Sequence, residues 1–433
     1  MKNINVALLG FGTVGSGVAE TIRKNGKLIE DSIGCHFTIT HVLVRHPEKY
    51  RDLEILKGVQ VTSSFEDIMN DGSVEIVIEV MGGIHPAKEY IFEALNHHIS
   101  VVSANKDLVA LFGPEIMHTA MDNHVNFNCE ASVGGGIPIL RPLHDSLAAN
   151  EIERIVGIVN GTTNFILSNM DEAGVSYGDA LRVAQKKGYA EVDPTNDVAG
   201  YDAARKLAIL ASIGFHANVT FDDVLVEGIE KISQNDVQYA SEMGYTIKLL
   251  AVALRQENGI ALNVYPAFVP RSHPLASVKG SYNAIYVTGN IVDDVMFYGR
   301  GAGSLPTASA VMGDIISTAK HIMNHSTGTG MMLTETKRIP FYSSLKLENS
   351  YYFRLIVDDV TGVLSQIASA YADNDISIKE VVQKSRIEDA AELMIITEKT
   401  PRENIIHVEK ALQVLPCMRQ VANIIRVLED DRK

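Results

Sequence analysis

Six residues near the start of the chain, Gly10-Phe11-Gly12-Thr13-Val14-Gly15, restrict the fold more than any other feature. An apolar run, residues 5–9, leads into them, and a helical stretch, residues 14–30, leads away. The pattern G-x-G-x-x-G is weak alone, but between a strand and a helix each glycine has a mechanical task. The first permits a tight turn, the second lets backbone approach a pyrophosphate, and the third lets the helix close on the sheet. Amides at the helix N-terminus then face the negative charge. The spacing therefore predicts a dinucleotide held by Gly10, Phe11, Gly12, Thr13, Val14 and Gly15.

The neighbouring sequence extends the same architecture. Further apolar strands are expected at 39–44, 74–80, 99–103 and 125–129, separated by helices at 86–96 and 114–123. Nearly continuous apolar strands alternating with helices imply a parallel sheet covered on both faces. The second strand ends in Arg45 and His46, where a carboxylate would mark NAD by bonding the ribose hydroxyl. Arginine suits a 2′-phosphate instead, which favours NADP while leaving NAD possible.

From residue 151 the pattern changes to an α+β domain. A strand within ERIVGIVNGT precedes helices at 163–171, 177–187 and 201–215, then strands at 248–254, 261–269 and 284–290. A helix at 306–324 is expected to return to the first domain, and residues 325–349 read as a linker. The C-terminal stretch reads strand, helix (360–374), two strands, helix (402–415) and strand, a ferredoxin-like βαββαβ module of about 80 residues. The expected fold is thus a Rossmann-type parallel sheet at 1–150 with 304–324 packed back on it. An α+β domain at 151–303 and the ferredoxin-like module at 350–430 follow.

Composition excludes several classes. Of 433 residues, 53 are acidic and 38 basic, a net charge of −15, which argues against binding to nucleic acid or anionic membranes. No apolar run reaches the roughly 18 residues of a membrane span, and the first strand breaks into glycines rather than a targeting segment. Cys35, Cys129 and Cys417 lie far apart without metal-like spacing, as expected of thiols in the cytoplasm.

The densest chemistry lies in GYAEVDPTNDVAGYDAARK, residues 188–206. Glu191, Asp197 and Asp202 supply three carboxylates and Lys206 an amine; Asp202 and Lys206 are one helical turn apart. The helix continues LAILASIGF, apolar almost all round, so it is expected to be buried. Carboxylates suit a substrate ammonium, and a lysine suits proton transfer to a carbonyl oxygen.

At these residues the sequence closely resembles the homoserine dehydrogenase family. The matching segments are ALLGFGTVGSGV, EVMGGIHPA, SANKDLVA, EASVGGGIPI, GIVNGTTNFIL, GYAEVDPTNDVAGYDAARKLAILA, NAIYVTGN and MFYGRGAGSLPTASAV. The resemblance implies NAD(P)H-dependent interconversion of L-aspartate 4-semialdehyde and L-homoserine. It implies that Lys206 is the acid-base residue, that Glu191 and Asp202 bind substrate with Asp197 close by, and that Lys106 lies near nicotinamide and substrate. It puts Gly188 and Gly303 at the cofactor, and a monovalent cation, Na⁺ or K⁺, on Glu130, Val133, Gly135 and Ile137, largely through carbonyls. Gly134 stands where the family commonly has Ala, and Ala199 where it has Glu. The chain looks like the monofunctional enzyme, a homodimer or homotetramer, with the C-terminal module resembling an ACT domain. L-Threonine is the effector so implied, with Gly362 and Asp359 at the turn that would receive it. Two readings compete: another semialdehyde dehydrogenase, which would need a nucleophilic cysteine such as Cys129, and a non-catalytic NAD(P) or amino-acid sensor.

Overall fold

Both faces of the first strand are apolar: Ile4, Val6, Ala7, Leu8 and Leu9 are all buried. Such a strand needs cover on each side, which crossover helices supply in a parallel sheet. The structure is a computed structural model that describes residues 2–329, 339–387 and 390–429. Its first part runs β1 (Lys2–Leu9), α1 (Thr13–Ile33), β2 (Cys35–Leu43), β3 (Gln60–Thr62), α2 (Phe65–Met69), β4 (Val74–Glu79), α3 (Ala87–Asn96), β5 (Ser100–Ser103), α4 (Lys106–Asp122) and β6 (Phe127–Asn128). The middle runs β7 (Ile152–Ile158), α5 (Gly161–Ala173), α6 (Tyr177–Lys186), α7 (Thr195–Val198), α8 (Tyr201–Phe215), β8 (Leu225–Val226), α9 (Gln234–Glu242), β9 (Tyr245–Gln256), β10 (Gly259–Pro270), β11 (Tyr282–Gly289), β12 (Asp293–Arg300) and α10 (Ser304–Met323). The last part runs β13 (Glu348–Asp358), α11 (Val363–Ala372), β14 (Ile378–Ile387), β15 (Ala390–Thr397), β16 (Thr400–Pro401), α12 (Arg402–Gln413) and β17 (Met418–Val427).

The chain forms two compact units. The first comprises Met1–Val159, Ala204–Val224 and Asn283–Ile339, the second Asn160–Ala203, Leu225–Tyr282 and Pro340–Lys433. In the first unit a parallel sheet has the order β3-β2-β1-β4-β5-β6. The order reverses between β1 and β4, and in open α/β sheets that reversal opens a crevice at the carboxyl ends of the two strands. Ala308, Val311, Met312, Ile315 and Ala319 of α10 join the core formed by β1, β2 and Val18 and Ala19 of α1. The same unit holds β12, β11 and β7 in that order, with β11 antiparallel to β7.

In the second unit β9 and β10 form a long antiparallel hairpin, and β10 pairs parallel with β17 through Ala267–Arg426 and Phe268–Val427. The C-terminal strands follow in the order β17-β13-β15-β14, all antiparallel, which is the ferredoxin-like order. One face of this sheet packs Phe353, Leu355, Leu393 and Ile395 against Ile367, Tyr371, Ile405 and Val408 of α11 and α12. The opposite face carries charge. Arg354 of β13 donates to Asp236 at 2.7 Å, Glu392 at 3.0 Å and Ser233 at 3.1 Å, and Asn423 of β17 donates to Asp236 at 2.9 Å. Asp236 and Glu392 are 0 % and 3 % exposed, so Arg354 is the counter-charge for two buried carboxylates.

The structure moves several expected boundaries. The helix expected at 114–123 begins at Lys106 and runs through Pro114, because Asn105 caps it by accepting from the Leu108 amide at 3.2 Å. The strand expected at 125–129 shrinks to β6, and the helix expected at 360–374 starts only at Val363, after Gly362. The short α9 and the strand β12, with mixed exposure along it, were not anticipated. Of the expected linker, 330–338 lie outside the described residues. Its later part is pinned, since Ile260 donates to the Pro340 carbonyl at 3.0 Å and Tyr342 to that of Ile260 at 2.8 Å.

Replacing Arg354 with Met keeps the bulk and removes the cation, leaving Asp236 and Glu392 buried together. Breaking one side of a buried ionic network costs about 3–5 kcal/mol. Urea unfolding of Arg354→Met should show a loss of that size; a loss under about 1 kcal/mol would mean that water or backbone donors satisfy both carboxylates.

Candidate active site

The glycine loop sits where β1 ends. Gly10 takes a left-handed φ of 104°, its amide donates to the Leu43 carbonyl at 2.9 Å, and a Cβ there would crowd the Val80 carbonyl at 3.1 Å. A Cβ on Gly15 would lie 2.2 Å from the Gly10 carbonyl oxygen, so only glycine lets α1 close onto the turn. A Cβ on Gly12 would meet no protein atom within 4 Å. What Gly12 keeps clear is the mouth of the loop, beside the first amides of α1, and that cradle fits a pyrophosphate. A cavity of about 470 Å³ lies against it, lined by Gly10, Gly12, Arg45, His46, Lys49 and Met81 among others. Phe11 is buried beneath the turn, while Thr13 is exposed and Val14 half-buried at the start of α1. Gly303, with φ 125°, precedes α10 in the same unit. Gly188, with φ 74°, follows α6 in the second unit.

The two lysines singled out in the sequence both belong to the first unit. Lys106 is the first residue of α4, and Lys206 lies on α8 with its Nζ donating to the Val159 carbonyl at 2.8 Å. Their neighbours Asp107 and Arg205 form an ion pair at 3.3 Å, which draws the start of α4 toward α8.

In the second unit Asn160, the cap of α5, donates from its Nδ2 to Asp197 at 2.7 Å and to Asp202 at 2.8 Å. Two carboxylates gathered on one amide repel each other, and a cationic group brought against them relieves that repulsion. Glu191 stands on the exposed loop after α6, with its carbonyl accepting from Gln185 at 3.1 Å. Asn160 was not named from the sequence; its only signal was the Asn-Gly that opens α5, the pattern of an N-cap. Nor was Lys248, which is 2 % exposed and donates to Asn164 Oδ1 at 3.0 Å and to the Val278 carbonyl at 2.6 Å. Burial pushes its ammonium down to about 8. Through Asn164 it anchors the first turn of α5, next to Asn160.

The loop Glu130–Ile137 has consecutive left-handed residues, Gly134 (φ 73°) and Gly135 (φ 56°), and Gly135 lies so close to Gly301 that a Cβ would be 2.3 Å from its carbonyl. Val133 and Ile137 are buried. The Glu130 carboxylate accepts from the amides of Ile139, Leu140 and Arg141 at 2.5, 2.8 and 2.8 Å. It is committed to that turn, so the donors the loop can offer a cation are main-chain carbonyls. Asp314 of α10 accepts from the Glu130 amide at 2.8 Å and pairs with Arg141. Burial pushes its carboxyl up to about 7, against the pull of Arg141.

Cys129 is fully buried, and burial beside Asp314 and Glu130 pushes its thiol far above the usual range. A thiolate nucleophile needs the opposite environment, which removes the aldehyde-oxidising reading. In the C-terminal module Gly362 caps α11 with φ 91°, and Asp359 sits half-buried three residues before it. No helix among the described residues is long and apolar enough to cross a membrane.

A doubly wound sheet with a glycine cradle at its switch point defines a nicotinamide-dependent oxidoreductase. Family models described as "Homoserine dehydrogenase, NAD binding domain" and "Homoserine dehydrogenase" match residues 10–130 and 138–316. The homoserine dehydrogenase of Bacillus subtilis is 39 % identical over 429 residues, 99 % of each chain. The crystal structure of a homoserine dehydrogenase from Thiobacillus denitrificans covers 99 % of each chain at 37 % identity with a TM-score of 0.93. A hyperthermophilic archaeal homoserine dehydrogenase in complex with NADPH, 27 % identical, covers 73 % of this chain and 98 % of its own with a TM-score of 0.63. The chain belongs to the homoserine dehydrogenase family.

The loop geometry separates two substitutions. Gly12→Ala adds a methyl that meets no protein atom, so the melting temperature should hold while NADPH binding, followed by its fluorescence, weakens about tenfold or more. Gly15→Ala drives a methyl into a carbonyl and should lower the melting temperature by several degrees, as a cost of about 1–3 kcal/mol implies. Equal melting temperatures for the two variants would contradict this assignment of the glycines.

Proposed function

We propose that this chain interconverts L-aspartate 4-semialdehyde and L-homoserine with NADP(H) preferred over NAD(H). The observation that carries the reading is the pair Asp197 and Asp202 gathered on Asn160, with Asp202 one helical turn before Lys206 on α8. The bound nicotinamide supplies or accepts the hydride. Lys206 gives the proton to the carbonyl oxygen in reduction and takes it back in oxidation. Asp202 and Glu191 hold the substrate ammonium with Asp197 beside them, and Lys106 steadies the reacting end of the substrate against the nicotinamide. What supports NADP is the exposed Arg45 on the cavity wall, with Lys49 adding a second positive charge.

Two further parts of the reading rest on the family resemblance and on local geometry. The carbonyls of Glu130, Val133, Gly135 and Ile137 would take Na⁺ or K⁺, since hard monovalent ions suit neutral oxygens and the two left-handed glycines turn the peptide planes. The C-terminal module, residues 350–430, acts as an ACT domain for L-threonine, with the amides after Gly362 taking its carboxylate and Asp359 its ammonium. The protein works as a homodimer or homotetramer, which light scattering measures directly.

One kinetic series at 340 nm tests all of this. Homoserine with NADP⁺ should turn over faster than with NAD⁺. Lys206→Ala should lower kcat by about 10²–10⁴ while NADPH still binds. Exchange of alkali ions for a bulky organic cation should slow the enzyme, and L-threonine should inhibit it through a coupling of about 1–3 kcal/mol. Near wild-type turnover of Lys206→Ala would overturn the catalytic assignment. Indifference to alkali ions or to threonine would remove the corresponding part alone.

A further inference from the structure

Glu79 ends β4, is 0 % exposed, and among the described residues its hydrogen-bond partners are neutral. Its Oε1 accepts from the amides of Met81 at 2.9 Å and Gly82 at 3.3 Å, and its Oε2 accepts from the Ser103 hydroxyl at 2.6 Å. Ser103 ends the neighbouring strand β5, and its oxygen accepts in turn from the Asn105 amide at 3.1 Å. Asn105 caps α4 through Leu108 and donates from Nδ2 to the Gly83 carbonyl at 2.6 Å, while the Ala104 amide returns to the Glu79 carbonyl at 3.1 Å.

These bonds form a closed circuit between the carboxyl ends of β4 and β5. One end of it is the cavity wall at Met81 and Gly82. The other is the first turn of α4, whose first residue is Lys106. An anionic carboxylate suits the position because three donors converge on it and neither of its oxygens has to donate. A glutamine would turn an NH₂ toward one of those donors. Burial pushes the carboxyl above its usual range, against the pull of the Ser103 hydroxyl and the Met81 and Gly82 amides.

We propose that Glu79 and Ser103 are positioning residues of this dehydrogenase. Glu79 fixes the Met81–Gly82 wall against the cofactor, and through Ser103 and Asn105 it fixes the placement of Lys106. The inference rests on the role given to Lys106 above. It differs from a purely structural role because its two arms should fail separately. Ser103 lies only on the arm to Lys106, whereas Glu79 lies on both.

The test uses Ser103→Ala, Lys106→Ala, their double variant and Glu79→Gln in the full chain. Each is measured for kcat, NADPH dissociation constant and melting temperature. Ser103→Ala should lower kcat about tenfold and leave NADPH affinity within about twofold, since small misplacements of a reacting group are costly while binding contacts persist. In the Lys106→Ala background the same substitution should change kcat by less than about twofold, because its target is already gone. Glu79→Gln should lower kcat similarly and also weaken NADPH binding about fivefold or more. Should Glu79→Gln fail to fold, Ser103→Ala, which removes a single oxygen, still decides the Lys106 arm. If Lys106→Ala is impaired and the Ser103 effect persists undiminished in the double variant, the positioning role is wrong and the catalytic reading stands. If Lys106→Ala turns over normally, the role of Lys106 fails and the arm to it fails with it. Unchanged NADPH affinity in folded Glu79→Gln overturns the arm to the cofactor wall.

Discussion

The approach of α1 to the end of β1 sets most of the first unit. Gly15 permits it by leaving room for the Gly10 carbonyl, and two residues on Gly17 permits the next contact, since a Cβ there would lie 2.7 Å from the Ser304 carbonyl oxygen. The start of α10 is therefore seated by the same helix that carries the phosphate cradle. Once α10 is seated, Asp314 reaches the Glu130 amide and Arg141, at the base of the glycine loop 130–137. Cofactor cradle and proposed cation loop thus share one packing solution, reached through absent side chains rather than through added bonds. Residues 304–323, distant in sequence from the cradle, are part of the cofactor unit for that reason.

The second unit depends on a different kind of constraint. Its C-terminal module is part of a continuous sheet with β9 and β10, through the pairing of β10 with β17 and the ring stacking of Phe268 on Tyr352 at 4.3 Å. The charged face of that sheet meets α9 through Arg354, Asp236 and Glu392. A buried ionic cluster gives little net stability against an apolar one, but it tolerates only one alignment of its members. Any ligand that shifts β13 or β15 must therefore move α9 or break the cluster. A module attached only by a flexible linker would lack that rigidity.

How much was legible in the sequence follows from the range of each signal. The glycine loop and the alternating strands act over a few residues, so spacing alone reveals them. The C-terminal βαββαβ module was legible too, because its strands are strongly apolar and its helices of ordinary length. The start of α4 was placed at Pro114, although the cap at Asn105 lies nine residues earlier and the proline is accommodated inside the helix. Strand β12 was missed because its half-exposed residues carry no clean alternation, and α9 because its capping box, Ser233 and Asp236, precedes a polar stretch. Asn160, Lys248 and Glu79 escaped for a common reason. Each has at least one partner more than twenty residues away, and that partner cannot be read from the neighbouring sequence.

The way negative charge is held separates the two units' tasks. Arg354 sets one cation directly against Asp236 and Glu392 and cancels part of their charge in place. Glu79 and Glu130 are held by hydrogen-bond dipoles alone: two amides and a hydroxyl for one, three amides for the other. Dipoles orient a carboxylate without cancelling its charge, and at low dielectric the remaining field extends to the neighbouring loops. A site meant for a substrate ammonium or a monovalent cation needs such uncancelled charge in a fixed place. A cluster meant to align strands does not, and there the protein spends an arginine.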